Sequence, residues 1–173
     1  MKLSIKNVKI NKTLSEETMC FSADVYVDGK KAFLAANRGM GGGNEYYPTM
    51  GKTYAEVDKA HAYAASLPAR VFADNICVEG SIITTYPTDL DCLIDDLLDR
   101  WQLEKQVKGL MKKLSFVDNG KIYSLAKALP SPQNLVAYKT MHPDRQIINT
   151  MSFGEACDLV DQIYKNGRDT CAY

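Results

Sequence analysis

The sequence predicts an α+β fold: an N-terminal antiparallel sheet with a packed helix, a long central helix, and a small β-rich C-terminal part closed by a final helix. Three observations carry this expectation. Residues 3–36 alternate apolar and polar side chains, three later points carry helix-start signals before helical periodicity, and 173 residues at 46% hydrophobic content are enough for one core. A single domain over 1–173 is therefore expected, with sub-parts 1–67 (sheet plus helix) and 68–173 (helix-rich, with short strands).

The first strand is read at residues 3–10, where Leu3, Ile5, Val8 and Ile10 stand between lysines. A hairpin follows over residues 20–36. Phe21, Ala23, Val25 and Val27 share one side, Asp28-Gly29 is a two-residue turn signal, and the return strand runs from Ala32 to Ala36. Asn37-Arg38-Gly39-Met40-Gly41-Gly42-Gly43-Asn44 cannot hold a regular strand, because glycine has no side chain to pack and too much freedom to lose. Glu45-Tyr46-Tyr47 reads as a short strand before Pro48.

Thr53 with Glu56, Thr88 with Asp91, and Ser152 with Glu155 each carry capping-box spacing, in which two orphan backbone donors are satisfied reciprocally. They predict helices over 54–67, 89–114 and 153–165. The first buries Val57, Ala60, Ala64 and Leu67. The second has Asp89, Asp91, Asp95 and Asp96 at its start and Lys105, Lys108, Lys112 and Lys113 at its end, an order that suits the helix dipole. Gly109 marks a bend, and the third helix is expected to stop at Asn166-Gly167. Between the last two helices, Asp118-Asn119-Gly120 joins a second hairpin. Leu135–Tyr138 and Gln146–Asn149 read as short strands, the former alternatively as a helical turn, and Ser81–Tyr86 as a further strand.

Composition narrows the function classes. The 21 basic residues are cancelled by 21 acidic ones, so bulk charge supports neither coating of nucleic acid nor binding to an anionic membrane, though a local nucleic-acid patch is not thereby excluded. The alternating N-terminus lacks the unbroken apolar stretch of a signal peptide, and no run approaches a membrane span. Cys20, Cys77, Cys92, Cys157 and Cys171 are widely spaced without a CxxC, which points to free thiols in a reducing cytoplasm and not to zinc.

The candidate site is the glycine segment. Asn37, Arg38, Gly39, Met40, Gly41, Gly42, Gly43, Asn44, Tyr46 and Tyr47 would form an adaptable, aromatic-flanked surface for a partner or ligand, since Tyr and Arg are favoured interface anchors. Glycine-rich loops also cradle phosphates, but neither phosphate fingerprint fits here: GxxxxGK[ST] is missing, and Gly39, Gly41 and Gly43 lead into Glu45-Tyr46-Tyr47 and not into a helix. The bland alternative is a hairpin end that merely redirects the chain. A second candidate is the carboxylate pair Asp91 and Asp95, one helical turn apart, which could hold a magnesium ion for phosphoryl chemistry; against it, acidic residues belong at a helix start in any case. His61 with Cys20 or Cys77 would be needed for a nucleophile pair, and nothing in the sequence places them together. His142-Pro143-Asp144 resembles the loop of a chaperone J-domain, but no long helix is expected after it, so it reads as a turn.

Leu14-Ser15-Glu16-Glu17-Thr18, Cys20-Phe21-Ser22-Ala23, Tyr26-Val27-Asp28-Gly29-Lys30-Lys31, Asn37 and Gly39–Asn44 resemble the opening of small uncharacterised accessory proteins of bacteriophages and prophages. Ile147-Ile148-Asn149 with Ser152, Glu155 and Ala156 is similar to their C-terminal part. The resemblance implies no established activity and no cofactor. It implies a mobile-element context in a bacterial cytoplasm, where a stable scaffold with an exposed loop would bind and modulate a host protein complex such as a defence system. A metal-dependent enzyme acting on nucleic acid or nucleotide, and a protein sequestering a small nucleotide, are the two alternatives.

Overall fold

The structure is a computed structural model that describes residues 1–78 and 81–169. It is α+β. Its contacts divide the chain into two compact units, Met1–Leu98 and Asp99–Tyr173.

In the first unit, β1 (Leu3–Ile10), β2 (Phe21–Val27), β3 (Lys30–Asn37) and β4 (Glu45–Pro48) form an antiparallel sheet in sequential order. Asp28 and Gly29 join β2 to β3 with φ values of 48° and 82°, the left-handed pair that matches strand twist in a two-residue hairpin. Pro48 ends the edge strand β4, where its missing N–H costs no ladder bond. Phe21, Ala23, Val25, Phe33 and Ala35 are buried on one face. The helix α1 (Ala55–Ala65) contributes Val57, Ala60 and Ala64 to the same core, and the start of α2 (Leu90–Leu110) adds Leu90, Ile94 and Leu98. Phe33 is fully buried, so truncation to alanine would cost about 3–5 kcal/mol.

On the opposite face, Asp24 is only 8% exposed. Lys31 pairs with it at 2.8 Å and the Asn7 side-chain amide donates to it at 2.8 Å. Asn7 reaches it because β1 bulges between Lys6 and Lys9, with Asn7 at φ 52°. β5 (Arg70–Val78) and β6 (Ser81–Tyr86) form a separate antiparallel pair. β6 matches the expected strand. β5 was not expected, and its pairing is irregular between Val71 and Ile76, where Ala73-Asp74-Asn75 breaks the apolar alternation.

Two helix starts correct the sequence reading. Thr53 does not form the expected box with Glu56: its hydroxyl accepts the Ala55 N–H at 3.5 Å, Tyr54 occupies the cap position without a side-chain bond, and Glu56 pairs with Lys59. Thr88 does not cap α2 either. Its hydroxyl donates to Pro68 O, while Asp89 accepts the Cys92 N–H at 2.8 Å. That bond holds the Asp89 carboxyl below its ordinary range.

In the second unit, β7 (Leu114–Asp118) is flanked by β8 (Lys121–Leu125) and β9 (Gln146–Ile147). Asn119 and Gly120 make the hairpin turn with φ values of 49° and 70°. Leu114, Phe116, Tyr138 and Ile147 form one buried cluster, and Val107, Ile148, Ala156, Cys157 and Val160 another. α2 ends at Leu110, not Leu114. Its last carbonyls accept the Met111, Lys112 and Lys113 N–H groups, and Leu110 O also accepts Ser115 Oγ; Asn149 Nδ2 donates to Met111 O and Lys113 O in the segment just after the helix.

Leu135–Tyr138 is not a strand but lies inside α3 (Pro132–Met141). Ser131 accepts the Asn134 N–H and Pro132 sits in the first turn, start signals that favour the helical alternative over a strand. Only Gln146–Ile147 of the expected 146–149 strand is extended; Ile148–Thr150 is a 3₁₀ turn. The Ser152–Glu155 capping box is formed in both directions at the start of α4 (Phe153–Asp169). α4 runs through Asn166-Gly167 and does not stop there. His142 follows α3 as its C-terminal cap, and Pro143-Asp144 is a turn. Among the described residues, no helix is long and apolar enough to cross a membrane. Cys171 lies outside them.

Candidate functional site

The glycine segment leaves β3 at Asn37, and the buried side-chain amide of that residue organises it. Asn37 Oδ1 accepts the Thr18 hydroxyl at 2.8 Å and the Gly39 N–H at 2.9 Å. Its Nδ2 faces Gly42 O, Gly43 O and Asn44 Oδ1 at 3.1–3.4 Å. One amide group therefore ties both limbs of the loop together, using its donor and acceptor ends as only Asn or Gln can.

Gly39 is buried at φ 86°. Its carbonyl accepts the N–H groups of Glu16, Glu17 and Thr18 at 2.9–3.3 Å. A β-carbon there would fall 2.0 Å from Leu14 O, so the position has room only for glycine. Thr18 Oγ1 also accepts the Gly41 N–H at 3.3 Å. The run Glu16–Thr18 is thus part of the site. The polar residues just before β2 were the only sequence signal for it.

The far limb is fixed to α2. Asp91 accepts the Asn44 N–H at 2.9 Å and the Tyr46 hydroxyl at 2.5 Å, one on each carboxylate oxygen. Asn44 Nδ2 donates to Asp95 Oδ1 at 3.2 Å. The Tyr46 ring meets Phe33 and His61 edge-on, with centroids 5.9 and 5.3 Å away. Burial, then the bond to Asp91, pushes the Tyr46 hydroxyl far above its ordinary titration range, so it stays a donor.

The two sequence candidates are therefore one place. Asn37–Tyr47 and the Asp91–Asp95 pair meet, the carboxylates serving as anchors for the loop. Asp91 has both oxygens engaged. Among the described residues, no group of three or more His, Cys, Asp or Glu is arranged to hold a metal ion. His61 lies against Tyr46, whereas Cys20 packs beside Gly39; the Cys77 side chain lies outside the described residues.

What remains outward is a subset of the ten residues. Met40 is 72% exposed, Gly41, Gly42 and Gly43 are exposed, and Tyr47 is 40% exposed. The Arg38 guanidinium lies 3.1 Å from Glu45, whose carboxylate also accepts the Tyr47 hydroxyl. The bond to Tyr47 and the Glu45 charge both raise the Arg38 pKa. Arg38, Glu45 and Tyr47 therefore form a linked surface trio, while Asn37, Gly39, Asn44 and Tyr46 work from within.

No family model, curated protein or solved structure matches the chain.

Proposed function

We propose that this chain is a non-catalytic binding protein of phage type that inhibits or modulates a host protein complex in the bacterial cytoplasm, and that it does so through the outer surface of the Asn37–Tyr47 loop. One observation carries the reading: Met40, 72% exposed, sits on a loop whose inner polar atoms are engaged by Asn37, Thr18 and Asp91. Single exposed apolar side chains are common, Met50 at 99% being another, so it is the held shape of the loop beneath Met40 that supports the reading. A loop already held in one shape loses little further freedom when a partner covers it, which favours affinity per unit of contact area. Arg38 and Tyr47, on the same segment, are both exposed and of the residue types that anchor interfaces.

The reading assigns different roles within the segment. Arg38, Met40, Gly41, Gly42, Gly43 and Tyr47 meet the partner. Asn37, Gly39, Asn44 and Tyr46 hold the shape they present.

The test is recovery of a defined bacterial complex by the tagged chain, compared with Met40→Glu and Arg38→Glu variants. Both variants are expected to keep the wild-type melt and lose a partner that the wild type retains in stoichiometric amount. A partner held equally well by both variants would remove the loop from the function. Catalytic turnover by the purified chain on a nuclease and phosphatase panel would replace the binding reading altogether.

A further inference from the structure

At the opposite end of β3 from the glycine loop lies a cleft of about 700 Å³, bounded by the β2–β3 turn, the segment after β4 and the first turn of α1. Seven strand rises of about 3.3 Å separate the two ends of β3 by about 23 Å, so this is a different surface. Lys30, Lys31 and Lys52 all line it. Its two acidic residues have other partners. Asp28 accepts the Lys2 backbone N–H at 2.8 Å, and Glu56 pairs with Lys59 at 2.8 Å. Lys31 is bound to Asp24. Lys52 Nζ donates to the Lys31 backbone carbonyl at 3.3 Å. Among the described residues, no carboxylate pairs with Lys30 or Lys52, so the lining presents two ammonium groups without an acidic partner, in a chain whose charges cancel overall.

We propose that this cleft binds the phosphate groups of a small, multiply phosphorylated molecule. Lysines hold phosphate as mobile point charges and need no rigid fork geometry. Lys30 at the start of β3 and Lys52 after β4 bring ammonium groups from two different segments to one cleft, which suits a ligand with two or more anionic groups. An extended nucleic-acid strand fits poorly. It needs a basic track longer than one cleft, and the lysines here are confined to this one. The inference is independent of the binding role assigned to the glycine loop.

Amide-resolved NMR titration of the intact chain with tripolyphosphate, at ionic strength held constant with sodium chloride, tests it. Parallel arms use inorganic phosphate and a single-stranded oligonucleotide. Saturable shifts centred on Lys30, Lys31 and Lys52 are expected, with tripolyphosphate binding more tightly than phosphate. The Lys30→Glu, Lys52→Glu double variant should bind about tenfold more weakly. If that variant melts early, Lys30→Gln and Lys52→Gln singly should each weaken binding while the corresponding arginine variants retain it. Shifts that never saturate, equal affinity in the lysine variants, or tighter binding of the oligonucleotide would each overturn the proposal.

Discussion

Tyr46 donates its hydroxyl to Asp91 Oδ1 at 2.5 Å, and that single bond joins the edge strand of the N-terminal sheet to the first turn of α2. Asp91 sits where a helix favours negative charge, and its other oxygen takes the Asn44 N–H. The carboxylate is shared between the helix dipole and the glycine loop, so the loop is positioned by a group that the helix start already stabilises.

Removing the hydroxyl leaves half of this arrangement. Tyr46→Phe is expected to destabilise the protein by about 2 kcal/mol, the range for a hydrogen bond to a charged group. Chemical denaturation reads this as a lower midpoint. Asp91→Asn should cost less in the Tyr46→Phe background than in the wild type, because the two changes remove one interaction. Strict additivity would mean the bond contributes nothing.

The glycines separate by what a β-carbon would meet. Gly39→Ala places an atom 2.0 Å from Leu14 O at φ 86° and should prevent the loop from closing over Glu16–Thr18, at a cost on the order of 3 kcal/mol or more. Gly42→Ala meets nothing within 4 Å and carries only the left-handed penalty, about 1–2 kcal/mol. Hydrogen exchange at the Glu16, Glu17 and Thr18 amides should accelerate strongly in the first variant and little in the second. Equal effects would mean that burial of Gly39 does not matter to the fold.

The residues show where sequence reasoning reaches and where it stops. Asp28-Gly29 and Asn119-Gly120 gave their hairpins away because a two-residue turn demands left-handed backbone that few residues accept. The Val57, Ala60 and Ala64 stripe was legible from helical period. Helix ends were less so. Thr53 and Thr88 have capping spacing, but Thr88 is drawn to Pro68 O and Asp91 to the loop, contacts that depend on residues 20 and 45–47 positions away in the chain. The Leu135–Tyr138 run is short and apolar enough to read as strand or helical turn, and Ser131-Pro132 had already started a helix. For the site, both candidate groups were visible as unusual composition. Their union was not, since nothing in the local pattern of Asn44 or Asp91 says that they touch. Thr18 was invisible for the same reason.

Asp24 makes stability depend on acid. The hydrogen bond from Lys31, then that from Asn7, lowers its pKa below the ordinary 3.8. A carboxyl with a lowered native pKa binds its proton more readily in the unfolded chain. Its stabilising contribution is complete above pH 3.8 and is lost as pH falls from there through the native value. Asp24→Asn should therefore be less stable than wild type at pH 6, with the difference shrinking as pH is lowered through this window. Urea midpoints across pH 6 to 2 measure it, and a constant gap between the two proteins would show that the carboxyl is not linked to folding.

Asn149 holds the segment just after α2 from a distance. Its Oδ1 accepts the Ser115 N–H at 2.7 Å while its Nδ2 donates to Met111 O and Lys113 O at 3.1 and 2.8 Å. Asn149→Ala leaves these backbone groups without their side-chain partner and should cost about 2–3 kcal/mol. Asn149→Asp is the sharper variant. It keeps the acceptor for Ser115 but turns a second oxygen towards two carbonyls that need a donor, so at neutral pH it should be no better than alanine. Protonation supplies one donor again, so lowering the pH should bring Asn149→Asp closer to wild type than Asn149→Ala. The same trend in both variants would show that the pairing of Nδ2 with the Met111 and Lys113 carbonyls does not set the stability of the segment that follows α2.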